Sequence, residues 1–244
     1  MAETTAGRIS PYSDFKAGSQ AGVSIAIGYF PIALTFGLLA KTAGLSIGET
    51  FLMSLVVFAG ASQYISLSLL TLGTGIFEIV LTTFIVNIRH FLMATSLNEK
   101  APEGDIAAKA VYSFGLTDET FSVAATKEGE VRKGYMFGLV LISYSSWVIF
   151  SGVGHLIGAN LPKTLQESMA VALYAMFIGL LVPSMKKSVK AIYLAAMAAC
   201  FNTIFTMGKI LEPGWAIVIA TLLAAIIAET VVYLKGRKVP GHEE

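Results

Sequence analysis

Long apolar runs separated by short polar clusters set the pattern of this chain. Residues 18–40, 50–77, 134–162, 168–185, 191–208 and 213–228 contain no Asp, Glu, Lys or Arg. A helix needs roughly 20 apolar residues to cross the hydrocarbon core, and most of these runs are long enough. They are continuous and lack period-two alternation. Within lipid every backbone donor and acceptor must be satisfied internally, which leaves helices or closed barrels, and the unbroken runs select helices. The pattern predicts spans over about 17–41, 49–72, 76–97, 134–158, 166–183, 189–208 and 214–234. The predicted fold is therefore an all-α integral membrane protein with about seven transmembrane helices, eight being the alternative. The first apolar run has no small-x-small cleavage site ahead of a soluble domain, so it reads as a retained span.

Composition agrees. Of 244 residues, 55% are hydrophobic and 14% charged, with mean hydropathy +0.71. Soluble domains carry about 25% charged residues, so too few are present to coat a water-facing surface. The net charge of +1 offers no basic face for nucleic acid. Cys200 is the only cysteine, so no intrachain disulfide or structural zinc site can form.

Residues 101–130 interrupt the pattern. Three charges (Lys109, Asp118 and Glu119) fall within Ile106–Thr126, and each costs about 2.5–3.5 kcal/mol at a helix centre. A re-entrant or interfacial segment near 105–127 is expected, an eighth span shielded by its neighbours being the alternative. With seven spans, Arg8, Lys16, Lys163 and Lys209 share one side. The other side receives Lys41, Lys100, Lys109, Lys127, Arg132, Lys133, Lys186, Lys187, Lys190 and the C-terminal cluster of Lys235, Arg237 and Lys238. The positive-inside rule then puts the C-terminus in the cytoplasm and the N-terminus outside. Eight spans put both ends inside.

A weak internal repeat is visible. Lys16-Ala17-Gly18 with Gly22 matches Arg132-Lys133-Gly134 with Gly138, and the same offset aligns Phe51–Leu70 with Glu167–Lys186. The chain divides into repeat 1 at about 15–100, a connecting segment at 101–132 and repeat 2 at about 133–235, within one transmembrane domain. In the seven-span reading the copies insert upside down relative to each other. Inverted repeats are a hallmark of secondary transporters, with the solute held near the midplane. Recurrence of small residues in any membrane helix is the plainer account.

Val86-Asn87-Ile88-Arg89-His90 lies near the centre of the third span. An intramembrane ionisable residue is costly and must meet a partner or a wet cavity. Arginine presents a planar fork that holds a carboxylate in two places, and histidine exchanges a proton near neutral pH. Asn87 and Arg89 are candidates for contact with a solute, and His90 for proton coupling or gating. The structural alternative pairs Arg89 with Asp118, Glu119 or Glu78 to lock helices together. In Phe58-Ala59-Gly60-Ala61-Ser62-Gln63, the small side chains of Gly60 and Ser62 let a solute approach the main chain, and Gln63 adds an amide. Tight helix packing through small residues is the alternative. In Leu116-Thr117-Asp118-Glu119-Thr120, Thr117 reads as an N-cap with Asp118 and Glu119 in the first turn, favoured by the helix dipole. These acids are candidates for countering Arg89 or carrying a coupling proton, an ordinary capped surface helix being the alternative. Gly28-Tyr29-Phe30-Pro31 predicts a kinked or broken first helix, because proline deletes a backbone hydrogen bond. Broken helices expose backbone to a substrate, which adds Pro31 to the candidates. His155 and Glu229 read as peripheral.

Taken in order, Phe58–Gln63, Val86-Asn87-Ile88-Arg89-His90-Phe91-Leu92-Met93 and Leu116–Glu119, with Pro31 and Gly37 upstream, resemble the AzlC/YgaZ family. Its members are large subunits of branched-chain amino acid exporters. The resemblance covers roughly residues 15–235. It implies export of valine, leucine, isoleucine and methionine across a bacterial inner membrane, with a small hydrophobic AzlD/YgaH-type subunit as partner. A branched-chain solute suits the candidate residues: its side chain needs an apolar lining, its carboxylate a cation and its ammonium acceptors. No cofactor is expected, and no nucleotide-binding motif is present, so uphill movement must draw on an ion gradient or another subunit. An intramembrane enzyme is the reading from a different class. It lacks His-Glu-x-x-His and a Gly-x-Gly-Asp-type aspartate pair, and Ser62 with His90 has no evident oxyanion donors. A scaffold subunit for another metabolite's transporter is the remaining alternative.

Overall fold

The computed structural model describes residues 11–102, 105–157, 160–165 and 188–236, with scattered positions between 168 and 186. The span expected at 166–183, and with it the second half of the repeat alignment, lies outside the described residues. Among the described residues the chain is helical without strands: α1 Pro11–Thr42, α2 Ile47–Val56, α3 Gly60–Thr71, α4 Ile76–Asn87, α5 Arg89–Asn98, α6 Ile106–Phe114, α7 Asp118–Thr126, α8 Lys133–Ile157, α9 Val189–Met207 and α10 Pro213–Gly236. The all-helical membrane fold is as the hydropathy pattern required. Tyr12–Thr42, Ile76–Asn98, Lys133–Ile157, Val189–Met207 and Pro213–Leu234 are long and apolar enough to cross a bilayer.

Residues through Leu67, with those from Asn87 through α8, form one compact unit. Its spine is the α1/α8 pair. Side chains at Gly18 and Gly138 would collide with the backbones of Tyr135 and Phe15, and at Gly37 and Gly154 with those of Ser151 and Leu34. The missing Cβ atoms let the two backbones touch, so dispersion contacts and a Ser146 hydroxyl bond to Ala26 O (2.9 Å) hold the pair in lipid, where no hydrophobic drive exists. Partners along the pair rise together, from Gly18 with Tyr135 through Gly22 with Leu139 to Leu34 with Gly154. The two helices are parallel.

That direction corrects the expected inverted relation between the two repeat copies, whose leading helices run the same way. The cause lies in residues 49–72, which are a hairpin rather than a crossing span. Thr50 bonds His155 Nδ1 (2.9 Å) near the end of α8, and Tyr144 donates to Leu55 O (2.7 Å) half-way along it. The helix stops at Val56, Val57–Ala59 are non-helical, and α3 returns. Gly60 sits against Trp147, while Tyr64 reaches Ile32 O and the Phe36 ring farther back. His155, expected at the periphery, is buried.

Residues 106–126 form a second hairpin from the other end, matching the re-entrant expectation. Lys133 pairs with Asp105 (2.6 Å) at the start of α6. Phe114 packs on Tyr144 at its tip, and Lys100 Nζ bonds Ala125 O (2.6 Å) where α7 returns. Asp14 of α1 lies at this same end, 3.8 Å from Arg132. Lys16, Lys100, Lys109, Lys127, Arg132 and Lys133 therefore share one end of the unit. The seven-span count, which put Lys16 opposite the others, is corrected, because a hairpin that turns back does not change sides.

The broken first helix is also corrected. α1 runs unbroken through Pro31. Proline costs a helix about 3 kcal/mol or more, but α8 packs on α1 both before and after Pro31, so tertiary contact overrides the local penalty. The interruption falls instead at Ile88, between α4 and α5.

The second unit comprises Ser68–Val86 and the C-terminal helices. α9 and α10 are antiparallel, tied by Lys190 and Glu229. Glu78 of α4 is buried and accepts the Trp215 N–H (2.7 Å) in the first turn of α10. A carboxylate there answers the positive end of the helix dipole.

Candidate solute-binding site

The site lies where the two hairpin tips reach the middle of α1 and α8. Tyr29 is its post. Its ring is buried edge-on against Phe58 (6.2 Å) and Trp147 (5.1 Å). Its hydroxyl meets Thr117 Oγ1 and Glu119 Oε2, each at 2.7 Å. Thr117 caps α7 reciprocally with Thr120, as the N-cap reading expected. The tip of α6–α7 is thus fixed from within by its capping box and from outside by Tyr29.

Asp118, the next residue, forms an ion pair with Arg89, its Oδ2 lying 2.7 Å from Nη1. Of the three acids considered for Arg89, the structure selects Asp118, while Glu119 turns to Tyr29 and Glu78 to Trp215. The pair is not sealed: the Arg89 and Asp118 side chains keep 38% and 23% exposure. Only Nη1 carries the contact, and Arg89 Nε is buried with no hydrogen-bond partner. An orphaned buried donor costs about 1–3 kcal/mol, so half of this fork is poised for a further acceptor. His90 is half-buried within electrostatic reach of both Arg89 and Glu119.

On the other side of Ile88, Asn87 Oδ1 accepts from Ser62 Oγ at 2.6 Å. Ser62 lies in the first turn of α3, whose leading N–H groups have no intrahelical acceptor and whose first turn holds no acid. The partial positive charge of that N-terminus thus lies beside Asn87, two residues before Arg89. Four sequence candidates (Ser62, Asn87, Arg89 and Asp118) are therefore joined around one helix interruption, with Glu119 and His90 beside them.

Three candidates are placed differently. Gln63 is fully buried, accepting from Trp147 Nε1 (2.7 Å) and donating to Ser54 (3.3 Å), so its amide is consumed within the protein. Gly60 packs on the Trp147 ring, the small-residue contact that was its structural reading. Pro31 lies inside intact α1 with its carbonyl accepting from Thr35 (2.8 Å), so it exposes no broken backbone. Sequence reasoning missed Tyr29 as a positioning group and Trp147 altogether. The signal for Tyr29 was its place in the Gly28–Pro31 motif; for Trp147 no local signal exists.

The AzlC protein family model matches residues 24–161. The chain belongs to the AzlC family. The match runs from the middle of α1 to just beyond α8 and thus covers every residue of the site. Among the relatives, an uncharacterised membrane protein of Archaeoglobus fulgidus is 33% identical over 73% of this chain and 79% of its own length. Inner membrane protein YgaZ of Escherichia coli is 30% identical over 87% of this chain and 90% of its own. Branched-chain amino acid transport protein AzlC of Bacillus subtilis is 25% identical over 73% and 71%. No solved structure matches the chain. AzlC-family proteins are membrane proteins tied to transport, and this chain shares that character.

Proposed function

We propose that this AzlC-family protein is a secondary transporter that exports branched-chain amino acids (valine, leucine, isoleucine and methionine) across the cytoplasmic membrane. The observation that carries the reading is the half-used guanidinium. Arg89 stands at a helix interruption, between hairpins that enter from opposite ends, with Nε unsatisfied and one carboxylate on Nη1. A solute carboxylate fits that fork, and the acid-free N-terminus of α3 adds attraction. Glu119 and Asp118 offer acceptors to the ammonium, and the rings of Phe58, Tyr29 and Trp147, buried against one another, lie beside them. The printed name of the Bacillus subtilis relative supports this substrate class.

Proton coupling is assigned to His90, Asp118 and Glu119. A carboxylate that leaves Arg89 when substrate arrives takes up a proton more readily, since the cation no longer favours its charged form. By the positive-inside rule the basic end of the first unit, with the start of α1, is the end proposed to face the cytoplasm. This is transport rather than enzymatic chemistry. A small AzlD/YgaH-type subunit is the proposed partner, supported by α9, which is apolar and buries no residue within the chain. Counterflow of labelled valine into proteoliposomes, with and without that subunit and across a panel of amino acids, tests the reading. Absence of saturable, stereospecific counterflow in both preparations overturns it.

A further inference from the structure

Asn87 and Arg89 are separated only by Ile88, and their side chains go to different hairpins. Asn87 accepts from Ser62 in the first turn of α3, at the tip of the hairpin that starts beside His155. Arg89 pairs with Asp118 in the first turn of α7, at the tip of the hairpin that starts beside Lys133. Between them the helix has lost its regular ladder, and the Phe91 N–H bonds Ile88 O three residues back. Two helical hairpins from opposite ends are thus tied to one helix junction, at Ile88, by one side-chain contact each.

We propose that these two bonds are opposed locks. Arg89–Asp118 closes the site toward the basic end, and Ser62–Asn87 closes it toward the opposite end. The inference rests on the transport reading for its purpose, not for its geometry. The locks are unequal by construction: one is an ion pair and the other a neutral hydrogen bond. They also differ in what releases them. A solute carboxylate competes with Asp118 for the guanidinium, so loading loosens the lock toward the basic end and leaves the Ser62–Asn87 bond in place. Opposite access then follows from a choice between two bonds two residues apart, without moving the α1/α8 spine, whose backbones are in contact along their length.

Thiol accessibility tests this. In a Cys200→Ser background, Ala124→Cys reports on α7 and Ser66→Cys on α3; both positions are buried. The probe is a membrane-impermeant maleimide added to either face of solute-free vesicles. Asp118→Asn is expected to raise labelling at position 124 about tenfold or more, only from the face holding the basic end, and to leave position 66 unchanged. Asn87→Ala is expected to raise labelling at position 66 by about threefold to tenfold, from the other face, and to leave position 124 unchanged. Arg89→Gln breaks the first lock from its other partner and must reproduce the Asp118→Asn pattern, which covers a failure of either variant to fold. Asp118→Glu keeps the pair and should label like the parent. If each variant raises both reporters, or neither does, the locks are refuted. A crossed pattern without valine counterflow removes the transport reading alone; counterflow without the crossed pattern removes the locks alone.

Discussion

Asp118 Oδ2 lies 2.7 Å from Arg89 Nη1, while the neighbouring Nε of the same guanidinium is buried and unpaired. On the transport reading proposed above, this asymmetry marks Arg89 as a binding group rather than a structural strut. A strut would spend both sides of the fork on its partner, and this arginine keeps one side back.

Arg89→Ala is therefore expected to abolish valine counterflow while the protein still inserts and purifies. Arg89→Lys keeps the charge but loses the planar fork. It should retain no more than a few per cent of parental exchange, given about 1.5–3 kcal/mol for a hydrogen bond to a charged group. Parent-like counterflow in Arg89→Lys would show that a plain positive charge suffices.

Asp118 should separate exchange from uphill movement. Asp118→Asn cannot carry a proton and offers the ammonium a weaker acceptor, so solute exchange should persist with a raised KM while accumulation against a gradient disappears. Collapsing the proton gradient in the parent should give the same loss of accumulation. Uphill export that survives the collapse with its rate unchanged would remove proton coupling.

Trp147 donates to a fully buried Gln63 oxygen. Trp147→Phe leaves that acceptor unsatisfied in a dry environment and should cost about 1–3 kcal/mol, read as a lower melting temperature in detergent. Gln63→Leu in the Trp147→Phe background should recover part of the loss, because the oxygen left without its donor goes with the substitution.

Gly154 faces the Leu34 carbonyl so closely that a Cβ would overlap it. Gly154→Leu must push α1 from α8 and should destabilise by about 1–3 kcal/mol or more. Gly75 has open space around it, so Gly75→Ala should leave the melting temperature within about one degree of the parent, since substitutions away from buried features fall within about 0.5 kcal/mol.

Asp105 caps α6, and its carboxyl is held below the ordinary carboxylate range by its hydrogen bond with Lys133 first and by the Ala108 N–H next. A depressed folded value means that the contribution is present above the unfolded pKa and is lost as pH falls through the folded one. Hydrogen exchange at Ala108 and its neighbours should therefore hold steady down to the ordinary carboxylate range and loosen only on further acidification. Asp105→Asn should remove that acid-dependent change, and persistence of the change in the variant would assign it to another group.

Hydropathy alone determined that this chain is a bundle of membrane helices, because burial in lipid leaves a backbone few options. It also placed Asn87, Arg89, Ser62 and Asp118 among the functional candidates, because polar groups in an apolar run are costly enough to stand out one by one. Local chemistry identified Thr117 as a cap, since a hydroxyl three residues ahead of the amide that donates to it needs no distant partner. The tertiary structure alone decided that residues 49–72 turn back, that α1 survives Pro31, and that Gln63 belongs to Trp147. Each of these depends on what packs against the segment, and composition is blind to direction: an apolar run of the right length reads the same whether it crosses the bilayer or reverses half-way. Only the contacts of Thr50 with His155 and of Lys133 with Asp105 reveal which end each hairpin comes from.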